Sequence, residues 1–133
     1  MQANVFTYGS LMFPQVWQCV VAGAYRSLSA AANGHARFAI AGETYPGMVA
    51  QTGAMVEGVL YFDVNPDDLA ALDRFEGEDY RRAIIEVVLA DGRQVSCATY
   101  IYTGERLSAA AWNPAAFELQ AFMATYCRDR LKP

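Results

Sequence analysis

Residues 81 to 102 constrain the fold more tightly than any other stretch. RRAIIEVVLA leads into Asp91-Gly92, the dipeptide favoured by two-residue hairpin turns, and RQVSCATYIYT follows with alternating faces. The pattern predicts an antiparallel hairpin over 81 to 102. Upstream, MVEGVLYFDV at 55 to 64 predicts another strand, in which Gly58 marks a bulge or a close backbone approach. Between them lies a well-signposted helix. Asn65 is its N-cap, Pro66 sits in its first turn, and Asp67 and Asp68 occupy positions that the helix dipole favours for acids. It then runs through Leu69, Leu72 and Phe75 and stops at Gly77. Hairpin-paired strands with separated helices predict an α+β fold around a curved or barrel-like sheet, not a doubly wound parallel sheet.

The rest of the chain carries weaker signals. Val5 to Tyr8 reads as a strand. Pro14 to Ala22 reads as a short helix with Phe13, Val16, Trp17, Val20 and Val21 on one face and Gly23 as its stop. Residues 24 to 54 read as irregular, with short strands near 35 to 40 and 48 to 50, punctuated by glycines at 34, 42, 47 and 53. Asn113-Pro114 repeats the cap signature and opens a C-terminal helix carrying Phe117, Phe122, Met123 and Tyr126. No linker or repeat divides the 133 residues, so one domain over 1–133 is expected.

Charge and side-chain inventory narrow the function. A net charge of −4, with ten Lys and Arg scattered along the chain, argues against nucleic-acid and anionic-membrane partners. No apolar run approaches the ~20 residues of a membrane span, and Met1-Gln2-Ala3-Asn4 lacks the basic start of a signal peptide. Cys19, Cys97 and Cys127 form no C-x-x-C pair and read as reduced thiols, so a cytoplasmic protein is expected. The one histidine, His35, cannot build a His-rich metal site, and no nucleotide-phosphate loop is present. Neither a metal nor a cofactor is expected, and the oligomeric state is left open.

Acids and one loop remain. LDRFEGEDY holds Asp73, Glu76, Glu78 and Asp79. Glu76 sits at the helix's C-terminal end, where the dipole and neighbouring acids both disfavour the ionised form. That is the setting of a proton shuttle, but spacing alone favours a solvated acidic turn closed by Gly77. Tyr8-Gly9-Ser10 divides in the same way. Gly9 either releases the chain from the first strand or lets the N–H groups of Ser10 and Leu11 converge on an anion or a forming oxyanion.

Five stretches in order, VFTYGSLM (5–12), ETYPGMV (43–49), VEGVLYFDV (56–64), LDRFEGEDYRR (72–82) and CATYIY (97–102), resemble the gamma-glutamylcyclotransferase-like family, also called avirulence-induced-gene-like. The resemblance is nearest to its compact bacterial members. Y-G-S-L and Y-P-G carry little separately; their order and spacing around L-D-x-F-E-G-x-x-Y carry the resemblance. It implies a small mixed or antiparallel β-barrel flanked by short helices, with no cofactor. It also implies a γ-glutamyl small molecule as substrate and 5-oxoproline as product. The substrate loop would be Tyr8, Gly9, Ser10 and Leu11, the general acid/base Glu76, and Tyr80 and Tyr100 would be aromatic neighbours of the pocket.

The implied reaction suits the residues, because the substrate's own α-amine attacks its γ-carbonyl and no protein nucleophile is needed. Two alternatives stay open on the same fold: a non-catalytic ligand-binding or stress-response module, and an enzyme removing a γ-glutamyl or related acyl group within a biosynthetic pathway. Residues 24 to 54 and 103 to 113 are expected to form the walls that select the leaving amine. Arg81 and Arg82 read either as surface residues or as ligands for a substrate carboxylate.

Overall fold

The central helix forms as its caps dictate. In the computed structural model, which describes residues 2–117 and 119–124, α2 spans Pro66–Glu76. The Asn65 side chain accepts the Asp68 N–H at 2.8 Å, and Gly77 ends the helix at φ 79°. Asp68 goes beyond the dipole role. Only 4% exposed, its carboxylate accepts the Ala22 and Gly23 N–H groups at 2.9 Å each and the Tyr25 hydroxyl at 2.6 Å. These bonds tie the start of α2 to the chain leaving α1 (Pro14–Val20). Gly23 therefore does not stop α1, which already ends at Val20 as Val21 turns extended.

Among the described residues, six strands form the sheet against which this helical pair packs: β1 (Ala3–Thr7), β2 (Ser27–Ile40), β3 (Pro46–Val64), β4 (Tyr80–Leu89), β5 (Gln94–Tyr102) and β6 (Leu107–Ala111). Their order is β3-β1-β5-β4-β2, and β2 returns to pair with β3, closing a five-stranded barrel. β1 and β5 are parallel, with Val5 opposite Ala98, and the other pairings are antiparallel. β6 extends the sheet along the far end of β2. Closure removes most of the unpaired strand edge. The expected α+β barrel flanked by short helices is therefore the fold.

Alternation along the strands separates two apolar layers. Phe6, Ala32, Leu60, Val87 and Cys97 come one from each barrel strand and fill its interior. Val5, Tyr61 and Tyr100 face the other way, against Val16, Trp17 and Val20 of α1 and Leu72 and Phe75 of α2. Trp17 stacks on Tyr61 at 3.7 Å between ring centroids, with planes 5° apart. Each fully buried large apolar side chain here stabilises by roughly 1.5–3 kcal/mol. Gly58 is required between the layers, because a Cβ there would run into the Thr7 carbonyl and the Phe6 ring. The sequence left that glycine as a bulge or a close approach, and it is a close approach.

Four local expectations need correction. Residues 24 to 54 are not mainly irregular, since they hold most of the long pair β2 and β3. Its pattern was masked by alanines, which favour strands weakly, and by a register shift between Asn33 and His35. The Asp91-Gly92 turn is a three-residue loop. Gly92 donates to Leu89 O at 2.9 Å with φ 88°, and Leu89 N–H reaches Arg93 O at 2.9 Å, the pattern of a type I turn followed by a left-handed residue. Asn113 caps only a 3₁₀ turn, Pro114–Ala116; Phe117 is extended before α3 resumes over Leu119–Phe122. Tyr126 and Cys127 lie outside the described residues. Finally, β6 was not anticipated at all.

Candidate active site

At the end of β1 the chain is pinned on several sides. Thr7 Oγ1 donates to Val59 O at 2.8 Å, and the Tyr8 hydroxyl donates to Tyr100 O of the neighbouring strand β5 at 2.6 Å. From β2, the half-buried Arg37 guanidinium donates to Tyr8 O at 2.7 Å while lying over the Trp112 ring at 5.2 Å. In a trans peptide the C=O and the following N–H point in opposite directions. Drawing the Tyr8 carbonyl toward Arg37 therefore turns the Gly9 N–H away from it. A Cβ at residue 9 would stand 2.8 Å from Pro46 Cδ, so the loop passes where only glycine fits. Residues 10–12 then form a 3₁₀ turn whose own bonds begin with Met12 N–H to Gly9 O at 3.0 Å. The Ser10 and Leu11 N–H groups precede that ladder, as leading donors of a helical turn do.

Facing this loop is the last turn of α2. Phe75, 2% exposed, anchors it, and Gly77 N–H returns to Asp73 O at 3.2 Å, which presents Glu76 beside the loop. Tyr8, Gly9, Ser10 and Leu11 line one cleft together with Phe75, Glu76, Tyr45, Pro46, Tyr80 and Tyr100. The acid and the six other residues singled out from the sequence are thus brought together. The Tyr80 hydroxyl is committed to Pro46 O at 2.7 Å, and that of Tyr8 to Tyr100 O, so both phenols brace the walls. The free volume is about 20 Å³, the space of a single water.

The electrostatics centre on two carboxylates one helical turn apart. Tyr100 donates its hydroxyl to Asp73 Oδ1 at 2.7 Å, and Asp73 Oδ2 lies 3.3 Å from Arg82. Burial, the bond to Asp73 and the negative charges of Asp73 and Glu76 push the Tyr100 phenol far up. Tyr8 is also pushed up, first by burial and then by Glu76. Both phenols are neutral hydrogen-bonding groups at any working pH.

Several residues of this site escaped the sequence reading. Arg37 and Asp73 were not anticipated. Arg82 reads two ways from the sequence, and its partner is Asp73. Signals for the last two were present: Asp73 is three residues before Glu76, on the same helix face, and Arg82 is paired across the hairpin with Tyr100. Arg81 pairs with Ile101, is exposed, and is not among the lining residues. Of the expected specificity walls, 24 to 54 contributes Tyr45 and Pro46, and 103 to 113 contributes no lining residue. Burial pushes the Cys97 thiol up to about 12, and Cys97 packs in the barrel interior as a small apolar residue. A larger open hollow of about 550 Å³, walled by segments 29–33, 55–58 and 88–90, brings none of the singled-out residues together.

The barrel agrees with the folds of known proteins. A model of the family described as gamma-glutamyl cyclotransferase, AIG2-like matches residues 5–115. AIG2-like protein D of Arabidopsis thaliana is 32% identical over 99 residues, 74% of this chain and 65% of that protein, so the match spans less than two thirds of this relative's length. An Arabidopsis thaliana protein solved in solution is 27% identical, with a TM-score of 0.73 over 100% of this chain and 96% of that one. A gamma-glutamyl cyclotransferase structure shares the fold at a TM-score of 0.67 and 18% identity, over 81% of this chain and 69% of that one. The molecule is a closed mixed barrel of the kind these proteins share. The chain belongs to the gamma-glutamyl cyclotransferase, AIG2-like family.

Proposed function

We propose that the chain is a cofactor-independent γ-glutamyl cyclotransferase that converts a γ-glutamyl amide into 5-oxoproline and a free amine. The observation that carries this reading is the meeting of Glu76 with the Tyr8–Leu11 loop in one cleft of a family member. In the reaction, the substrate α-ammonium loses a proton to Glu76 and the freed amine attacks the γ-carbonyl carbon. A five-membered ring C–N bond forms, Glu76 delivers its proton to the departing nitrogen as the amide C–N bond breaks, and Glu76 then passes the ring nitrogen's second proton to the free amine, which leaves as an ammonium. Proton counts balance, and no oxidant or outside nucleophile is needed.

Each part of the site has a physical task in this scheme. Ring closure is intramolecular, so holding the glutamyl chain folded removes several kcal/mol of the barrier, on the order of 7 when alignment is good. A positioned carboxylate serving as base and then acid contributes roughly 10²–10⁴-fold. N–H groups of Gly9, Ser10 and Leu11 receive negative charge, either the substrate carboxylate or the γ-carbonyl oxygen as charge builds on it. Arg37 keeps that loop in register through Tyr8 O. Tyr80 and Tyr100 close the sides.

The test is release of 5-oxoproline from glutathione, γ-glutamyl-alanine and γ-glutamyl-ε-lysine, with the free amine measured in parallel. One amine per 5-oxoproline from at least one compound is expected, and the preferred compound identifies the leaving group. No product from any of them, with no thermal stabilisation by any, removes the reading.

A further inference from the structure

Tyr100 has one hydroxyl proton, and the structure shows where it goes. It points to Asp73 Oδ1, 2.7 Å away, and Asp73 is itself held by Arg82 at 3.3 Å. The same phenol lines the cleft and feels the charge of Glu76, one turn further along α2. A hydroxyl whose proton is committed to one carboxylate can offer only lone pairs elsewhere. On the cleft side, then, the Tyr100 oxygen is an acceptor, and it shares that side with a second acceptor group, Glu76. Two acceptors flanking one small space select a group with several N–H donors and positive charge. A neutral amide or a second carboxylate is disfavoured there.

We propose that Tyr100, with its hydroxyl proton held by Asp73 and Arg82, accepts a hydrogen bond from the α-ammonium of the bound compound, so that Tyr100 and Glu76 together select ligands bearing that amine. This rests on the proposed cyclotransferase reading and adds two positioning residues to it. Asp73 sets the direction of the Tyr100 hydroxyl, and Arg82 fixes Asp73. Neither touches the substrate. The arrangement also gives the proton transfer a direction. With its ammonium held between Tyr100 and Glu76, the substrate gives a proton only to Glu76, since the neutral phenol oxygen is far too weak a base to take it. The freed amine then stays close to the γ-carbonyl. Arg82 and Tyr100 face each other across the β4–β5 hairpin, which keeps the relay on rigid elements.

The experiment uses two probes that differ only in the amine, γ-glutamyl-alanine and glutaryl-alanine, whose affinities are measured by calorimetry in a Glu76→Gln background that does not turn over. The background should bind the amine-bearing probe more tightly. Adding Tyr100→Phe, which keeps the ring, should weaken γ-glutamyl-alanine about tenfold, as expected for a hydrogen bond to a charged group, and leave glutaryl-alanine within twofold. Asp73→Leu should act in the same direction, and Asp73→Asn, whose carbonyl can still accept the hydroxyl, should restore part of the loss. Should Asp73→Leu not fold, Tyr100→Phe decides alone. An amine preference that survives Tyr100→Phe overturns the inference while leaving the cyclotransferase reading intact. If neither probe binds and the wild-type protein releases no 5-oxoproline, the reading fails and the inference fails with it.

Discussion

Replacing Asp68 with Asn tests how the helical pair is fastened to the barrel. The carboxylate is 4% exposed and accepts three hydrogen bonds, from Ala22 N–H, Gly23 N–H and the Tyr25 hydroxyl. Asn keeps one acceptor oxygen and puts an NH₂ group where the other stood, so one or two donors face a donor and the charge is lost. Hydrogen bonds to a charged group contribute about 1.5–3 kcal/mol each, and they do not add when they share one acceptor. The expected loss is therefore about 3 kcal/mol. With a urea m-value of about 2 kcal/mol/M, the midpoint should fall by about 1.5 M. Burial opposes ionisation of Asp68, but the bonds from Ala22, Tyr25 and Gly23 outweigh it and hold the carboxyl below its ordinary value. A depressed native value means that this stabilisation is complete above the unfolded-state value of about 3.9 and is lost as pH falls through the lower native one. Urea unfolding of both proteins at pH 7 and near pH 3 checks this. The gap should be largest at pH 7 and should narrow in acid. A gap under about 0.5 kcal/mol at pH 7, or one that stays constant with pH, would refute the reasoning.

Two further outcomes follow from packing. Gly58→Ala places a methyl against the Thr7 carbonyl and 2.8 Å from the Phe6 ring, so it should cost at least about 2 kcal/mol by overpacking, read from urea unfolding; a loss below about 0.5 kcal/mol contradicts the close approach. In a Cys127→Ser background, iodoacetamide at pH 8 should modify exposed Cys19 in the native protein and reach buried Cys97, whose thiol is pushed up to about 12, only after unfolding. Mass spectrometry of the peptides reads this, and equal labelling of both in native buffer would contradict it.

How much of this was legible in the sequence depended on how local the signal was. α2 was readable to the residue, because Asn65, Pro66 and Gly77 act within one turn of where they sit. Residues 24 to 54 were not, because SLSAAANGHARFAI carries few β-branched or aromatic residues and its strand character comes from pairing with β3. Barrel closure is likewise a matter of register between distant strands. At the site, Glu76 and the Tyr8–Leu11 loop could be singled out by dipole, glycine and family pattern. Arg37 could not, since its contact with Tyr8 O joins residues 29 apart in sequence and leaves no periodic trace. Asp73 and Arg82 carried usable signals, helix spacing and cross-strand pairing, whose meaning emerges only once Tyr100 stands between them.

The most direct test of the central claim is the rate of 5-oxoproline release by Glu76→Gln beside the wild-type protein, on the compound the wild type turns over fastest. A loss of roughly 10²–10⁴-fold at saturating substrate, with the melting temperature little changed, is the predicted result. Release within about threefold of wild type would mean that Glu76 does not carry the proton and that the proposed mechanism is wrong.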